Sequence, residues 1–342
     1  MAQQATHHLP ALKRTLGAVA ITERLSLERL AMYRRSLRLP FRRTAVVPAL
    51  ALLRWTMHNP SHHLARTLLP AVREEATGLL GRVERRGELG WDDFSESWDR
   101  MMRRVAFGQS ARDNHEISDT LSRLRSRTSR LMVLLRRKDS HQQLQQRIQL
   151  YLQQAEPGSL ARFMAVQRSG SASATHDHSP EWLASFDPVG VTVYRTLALL
   201  STHPAHAADA RQELAADRTG RTALSFIKAC VVETMRLWPT TPLPLDIHTA
   251  ASAARDARFA PERWLHRRPA SRWQLATFTA EPVDSPDKQL ILLLASAMLG
   301  NLLETHHFNL QHAYRLAPAR PLPPALEVQR LRFDVEPVRI RK

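Results

Sequence analysis

A helical repeat of apolar residues governs most of this chain. From residue 61 onward, apolar side chains recur at three- and four-residue spacing, first in a stretch that ends at Gly87. Its members are Leu64, Leu68, Val72, Ala76, Leu79 and Val83. A second stretch, stopped by Gly108, carries Phe94, Trp98, Met101, Met102 and Val105. The spacing predicts a mainly α-helical protein with one domain over residues 61–342, preceded by a poorly organised segment over residues 1–60.

The same period continues to the end of the chain. Further helices are predicted from Ile117, over about residues 141–155, from Pro180, from Pro204, from about Arg221, and over residues 286–306. A Ser/Ala/Gly-rich stretch over residues 169–179 predicts a mobile loop. Looser alternation over residues 326–335 predicts a small terminal hairpin.

The chain is strongly basic. Its net charge of +17 comes from 44 arginines and 5 lysines against 32 acidic residues. Such a surface suits nucleic acid, anionic lipid or an acidic protein partner, although arginine-rich genomic composition explains it more plainly. Aromatic residues make up only 6% of the chain, so the stacking platforms of single-stranded nucleic-acid binders are scarce. Nucleic acid is therefore the less favoured partner.

Cysteine usage and hydropathy limit the compartment. The one cysteine, Cys230, cannot form an internal disulfide and is expected to be a core residue, which fits a reducing cytoplasm. No apolar run reaches the roughly 18–20 residues that a membrane span needs. The sequence therefore predicts a cytoplasmic protein without a membrane span.

Two late motifs carry the strongest functional signal. Glu233-Thr-Met-Arg236 places a carboxylate and a guanidinium three residues apart on one predicted helix, where they can pair. It runs on into Leu-Trp-Pro-Thr-Thr-Pro242, and Phe259-Ala-Pro-Glu-Arg263-Trp264 follows. In this order the segments resemble the Glu-x-x-Arg helix and the Phe-x-Pro-Glu-Arg-Phe segment of cytochromes P450. The resemblance implies a truncated P450-like helical fold and a buried network of Glu233, Arg236 and Arg263.

Other stretches agree with this resemblance in the right order. Residues 186–204 are similar to the long central helix of a P450 and its exit, and residues 65–76 look like an earlier family helix. Residues 290–303 fit the helix that follows the haem-binding loop. The resemblance covers roughly residues 61–342.

The haem-binding loop itself departs from the family. Its pattern, Phe-x-x-Gly-x-x-x-Cys-x-Gly, is expected from Phe278, which puts Glu281 and Asp287 at the two glycines and Ser285 at the cysteine. The family's thiolate pushes electron density onto iron and favours O–O cleavage. A serine hydroxyl stays protonated near neutral pH and is a weaker donor, so Ser285 marks a lost metal ligand.

The remaining chemistry has changed as well. Val283 and Asp246 stand where the resemblance implies basic residues, Val283 at a haem propionate. The oxygen-activation motif aligns as Val189-Gly190-Val-Thr192-Val193, which puts valine at the threonine. Thr192 is a weak catalytic candidate, because a one-residue offset on a helix turns its side chain by about 100°.

These observations leave three functional hypotheses. The resemblance implies haem, dioxygen, a small-molecule substrate and an electron-donating partner such as an acidic redox protein, whereas the residues imply that haem is weakly bound or absent. The favoured interpretation is a catalytically impaired P450-like protein, either a non-catalytic helper of a partner enzyme or a decaying gene product. The second is an active haem monooxygenase with a serine or histidine ligand, although His248, His306 and His307 are expected at the surface. The third is a basic helical nucleic-acid-binding module.

Overall fold

The computed structural model describes residues 62–119, 146–168, 186–238, 258–265, 286–318 and 320–338. Its helices are α1 (His62–Arg86), α2 (Trp91–Phe107), α3 (Leu160–Arg168), α4 (Phe186–Thr202), α5 (Pro204–Ala216), α6 (Ser225–Leu237) and α7 (Pro286–Thr305). Its strands are β1 (Glu88–Gly90), β2 (His306–Leu310) and β3 (Arg332–Pro337). Short 3-10 helices cover Gln109–Ala111, Pro261–Trp264, Ala313–Leu316 and Val328–Arg330, and residues 115–119 and 146–154 are also helical. The mainly helical fold class is confirmed for these residues.

The core lies between α1, α2, α4, α6 and α7. Helix α1 packs on α2 and α7, while α4 contacts α2, α6 and α7. Leu294, Ala295 and Met298 of α7 have no exposed surface. Helix α7 is apolar around most of its circumference, which is typical of a helix buried within a protein.

Two helix boundaries follow from backbone geometry. Helix α1 ends at Gly87, whose φ of 74° is in the left-handed region that glycine tolerates, and its N–H closes the helix on the carbonyl of Val83. Helix α6 begins at Ser225, whereas the sequence predicted a start near Arg221. The Asp217 carboxylate accepts the backbone N–H of Arg221, whose φ is 74°, so this stretch forms a turn before the helix.

The three strands form one small antiparallel sheet in the order β1-β3-β2. Phe333 in β3 pairs with Leu89 of β1 on one side and with Leu310 of β2 on the other. The predicted hairpin within residues 326–335 is therefore wrong, because β3 finds its partners in distant parts of the chain. Tyr194 of α4 ties the core to the sheet, since its hydroxyl lies 3.0 Å from the carbonyl oxygen of Leu331. Burial raises the pKa of Tyr194 well above its ordinary value.

Within the ranges given above, no helix is both long enough and apolar enough to cross a membrane.

Candidate functional site

Glu233 on α6 is a fully buried carboxylate that forms an ion pair within its own helix. The Nε and Nη2 atoms of Arg236 donate to the two carboxylate oxygens, over 2.9 and 2.7 Å. The i, i+3 spacing places the two side chains on one helix face. Because both oxygens accept a charge-assisted hydrogen bond, the guanidinium engages the carboxylate in the bidentate geometry that such pairs favour.

The 3-10 helix Pro261–Trp264 supplies the rest of the network. Arg263 approaches Glu233 with its Nε atom at 3.4 Å, and the indole Nε1 of Trp264 donates to the same carboxylate over 2.8 Å. The backbone N–H of Ala260 adds a third donor over 3.2 Å. The structure therefore brings together Glu233, Arg236 and Arg263, the three residues that the resemblance grouped.

Sequence reasoning missed the contributions of Trp264 and Ala260. The available signal was the position of Trp264 directly after Arg263. A buried indole N–H needs a hydrogen-bond acceptor, and the Glu233 carboxylate is that acceptor. Pro261 pre-sets the backbone for the first position of the short helix and carries no N–H of its own. The Glu233 network therefore joins α6 to the 3-10 helix Pro261–Trp264 and compensates the charge of the buried carboxylate.

Gly190 on α4 is covered by the indole of Trp98 from α2. A Cβ added at Gly190 would lie 2.7 Å from Cδ1 and 2.9 Å from Nε1 of that ring, closer than any ordinary contact. Val189 and Val193 on the same helix have no exposed surface. Side chains of the protein itself therefore fill the space in front of this helix face.

The residues on this face do not fit a haem. The resemblance would place the oxygen-binding side of a porphyrin against the segment containing Gly190 and Val193. Residues that line a cavity of that size keep accessible surface even when the cavity is empty, because water can enter it. A porphyrin could not lie against Gly190 without displacing Trp98.

The weak catalytic candidate Thr192 is buried between helices. The hydroxyl of Thr196 lies 2.8 Å from the carbonyl oxygen of Thr192 and 2.9 Å from the hydroxyl of Thr234. The Thr234 hydroxyl in turn lies 2.8 Å from the carbonyl oxygen of Cys230. These contacts join α4 to α6 and satisfy buried hydroxyls.

Cys230 is fully buried, as expected for a core cysteine, and burial raises the pKa of its thiol well above its ordinary value. His306 differs from expectation, because it is only 7% exposed rather than at the surface. As the first residue of β2, it alternates with His307 and shares the buried face with Phe308. Burial lowers the pKa of His306.

Several predicted positions lie outside the described residues. They are Phe278, Glu281, Val283, Ser285, Asp246, His248, the loop at residues 169–179 and the segment 1–60. Asp287 is the second residue of α7. Within the described part of the chain, no three His, Cys, Asp or Glu side chains are grouped so that they could hold a metal ion.

A second buried carboxylate, Glu75 on α1, went unnoticed in the sequence. It is 2% exposed, and its Oε1 atom accepts from Arg104 Nη1 at 2.8 Å and from Arg112 Nε at 2.6 Å. Burial alone would raise the pKa of Glu75, but the hydrogen bonds from Arg112 and Arg104 outweigh it, so this pKa is lowered. Nearby Arg103 is also buried and donates to the carbonyl oxygen of Arg112 over 2.8 Å.

No model of a known protein family matches this sequence, and no curated protein matches it either.

Proposed function

We propose that this chain is a P450-derived scaffold that has lost haem-thiolate chemistry and acts in the cytoplasm as a non-catalytic helper of a partner enzyme. The observation that carries the proposal is the pairing of an intact Glu233 network with a closed α4 face. The Glu233 carboxylate keeps its ion pairs with Arg236 and Arg263, while Trp98 fills the space at Gly190.

The Glu233 network concerns the stability of the fold, whereas the α4 face concerns the site where the family's chemistry would take place. A buried ion network persists only where its partners remain, because losing one partner leaves an uncompensated buried charge. The chemical positions carry no such structural penalty and can change once turnover is no longer required. A complete Glu233 network beside a filled α4 face is what we expect of a scaffold without monooxygenase activity.

The visible spectrum of the purified protein tests the first half of the proposal. Protein expressed with added haem precursor, beside an active P450 from the same cells as control, is expected to show no Soret band. After reduction and carbon monoxide treatment it should show no thiolate-type band. A Soret band with one haem per chain would contradict the proposal, and its position would distinguish thiolate from serine or histidine ligation.

The helper role needs a separate measurement. Cross-linking in the cells that produce the protein, followed by mass spectrometry, identifies an enzyme in contact with it. The turnover of that purified enzyme is then measured with and without this chain. We expect faster turnover in the presence of the chain. An unchanged rate would exclude the helper role even if haem is absent.

A further inference from the structure

Residues 320–326, called the proline segment below, lead into the 3-10 helix Val328–Arg330 and contain neither helix nor strand. Three of these residues are prolines, at positions 321, 323 and 324. Each proline ring fixes its own φ, and a residue directly before a proline avoids the α-helical region. Together these restrictions favour an extended polyproline II conformation from Pro321 to the bend of the backbone at Pro324.

The proline segment shows different residues to the protein and to the solvent. Leu322 and Leu326 are buried, with 9 and 8% of their surface exposed. Arg320, Pro321 and Pro324 are exposed. A polyproline II helix has three residues per turn, so prolines three positions apart lie on the same side of it. The segment therefore packs its leucines against the protein and presents two aligned prolines at the surface.

Side chains from the core hold the proline segment by its carbonyl groups. Trp238, the residue after α6, is buried and donates from Nε1 to the carbonyl oxygen of Pro323 over 2.8 Å. Arg195 on α4 donates from Nε and Nη2 to the carbonyl oxygen of Leu326 over 2.9 and 2.7 Å. The segment is therefore fixed at two points, one beside the exposed prolines and one just after them.

Arg195 is committed to the backbone rather than to an ion pair. Besides Leu326, its guanidinium meets the carbonyl oxygen of Trp238 at 3.4 Å, and no carboxylate among the described residues pairs with it. Burial lowers the pKa of Arg195. Because a partly buried charge with neutral partners is costly, its contribution here is to keep this stretch of backbone in place.

The exposed side of the proline segment carries a positive charge. Arg320 stands directly before Pro321 and is exposed. Glu327, the carboxylate that follows the segment, forms an ion pair with Arg330 Nε at 2.7 Å. In the described part of the chain, no carboxylate forms an ion pair with Arg320. Its guanidinium is therefore available to an acidic group on another molecule.

We propose that the proline segment is a docking surface for an aromatic-lined groove, with a carboxylate beside it, on a partner protein. Pro321 and Pro324 fill the groove, and Arg320 pairs with the carboxylate. Grooves of this kind recognise Pro-x-x-Pro segments in the polyproline II conformation. Because Trp238 and Arg195 already hold the segment, little conformational freedom is lost on binding. The inference deepens the helper role proposed above and rests on it for the identity of the partner.

A panel of isolated, isotope-labelled SH3 and WW domains serves as the probe, because both kinds of domain bind such segments in aromatic-lined grooves. Each domain is titrated with the full chain and followed by NMR chemical shifts. We expect at least one domain to bind with a Kd below about 1 mM, with shifts centred on its groove. The double variant Pro321→Ala, Pro324→Ala should weaken binding at least about tenfold. Pro157→Ala, at an exposed proline elsewhere, should leave it unchanged.

Two further variants test the charge and the fixed conformation. Arg320→Gln should weaken binding about two- to fivefold at low salt and less at high salt, as for an exposed ion pair. Trp238→Phe removes the hydrogen bond to Pro323 without changing a residue that faces the partner. It should weaken binding at least about twofold, because the loosened segment has to be ordered again on binding.

Three results would overturn the proposal: no shifts in any domain, wild-type affinity in the double proline variant, or tighter binding of Trp238→Phe. The last would show that the segment has to leave the protein before it can bind. Arg320→Glu, a charge reversal at an exposed position, should weaken binding and covers the case in which the double variant does not fold. The titration involves neither haem nor turnover, so its failure would leave the helper role standing. An unchanged turnover with intact binding would contradict the helper role alone.

Discussion

The charges of two buried carboxylates, Glu233 and Glu75, are compensated by different parts of the chain. Glu233 pairs with Arg236 from its own helix and with Arg263 from a single short segment. That segment also donates hydrogen bonds from the Trp264 indole and from the backbone N–H of Ala260. Glu75 takes its donors from α2 and from the turn that follows it, through Arg104 and Arg112. The first network combines an ion pair within one helix with partners of mixed type from one later segment. The second consists of guanidinium groups from other elements.

This difference determines how sensitive the stability of the protein should be to the removal of one arginine from each network. Glu233 is fully enclosed, and Arg236 is itself only 4% exposed at its side chain, so neither partner can turn to water if the other is removed. Arg112 is 29% exposed at its side chain, and Glu75 would keep Arg104 after its loss. The Glu233 network should therefore be the more sensitive to single substitutions.

The largest effect is expected from Arg236→Ala. Removing one partner of a buried ion pair typically costs about 3–5 kcal/mol, and Arg263 at 3.4 Å cannot replace a bidentate bond. Urea unfolding followed by circular dichroism measures the loss. Arg258→Ala, which changes an exposed arginine just before the 3-10 helix Pro261–Trp264, is the matched control. Wild-type stability for Arg236→Ala would show that the Glu233 network does not hold the fold.

Arg112→Ala should cost less, about 1.5–3 kcal/mol, which is typical of hydrogen bonds to charged groups. The variant leaves Glu75 with Arg104 and removes contacts of 2.6 and 3.1 Å. The same urea measurement checks it, with Arg66→Ala on an exposed position of α1 as control. A loss equal to or greater than that of Arg236→Ala would reverse the ranking of the two networks.

The two networks also show which buried contacts could be predicted from the sequence and which could not. Glu233 and Arg236 are three residues apart, and the segment with Arg263 carries its own motif, so local pattern and family resemblance found them. Glu75 is separated from its arginines by 29 and 37 residues, and no short pattern links them. The sheet posed the same difficulty, because Glu88–Gly90 pairs with a strand near the end of the chain.

Helices were predicted more reliably than the contacts between them. The periodic apolar residues of α1 and α2 specify one buried face each, which depends only on neighbours within a helix. The predicted start of α6 was too early because the carboxylate of Asp217, the residue after α5, accepts the backbone N–H of Arg221 and organises a turn there. Glu213 of α5 then accepts the backbone N–H groups of Phe226 and Ile227 in the first turn of α6. The burial of His306 depends on strand pairing, which its local sequence does not encode.

Trp264→Phe should sharpen the comparison by removing one neutral donor from the Glu233 network. The indole Nε1 hydrogen bond of 2.8 Å is lost while most of the ring packing remains. We expect a loss of about 1–1.5 kcal/mol, because Glu233 retains Arg236 and the backbone donor. Trp91→Phe, another partly buried tryptophan outside the network, is the control for the change of ring. Equal losses in both variants would mean that the Glu233 contact contributes nothing of its own.

The smallest effect is expected from acid titration of Glu75. Its lowered pKa means that the unfolded chain, with an ordinary value of 4.5, binds the proton first, so the contribution of Glu75 is present above that pH and is lost as the pH falls. Between pH 6 and pH 4 the loss is at most about 0.8 kcal/mol, since only the upper part of the unfolded-state titration is crossed. The stability difference between wild type and Glu75→Gln should shrink by up to that amount in urea unfolding at the two pH values. Glu74→Gln, on the exposed side of the same helix, provides the reference for this measurement. A difference that grows on acidification would show that burial outweighs the arginines and that the pKa of Glu75 is raised.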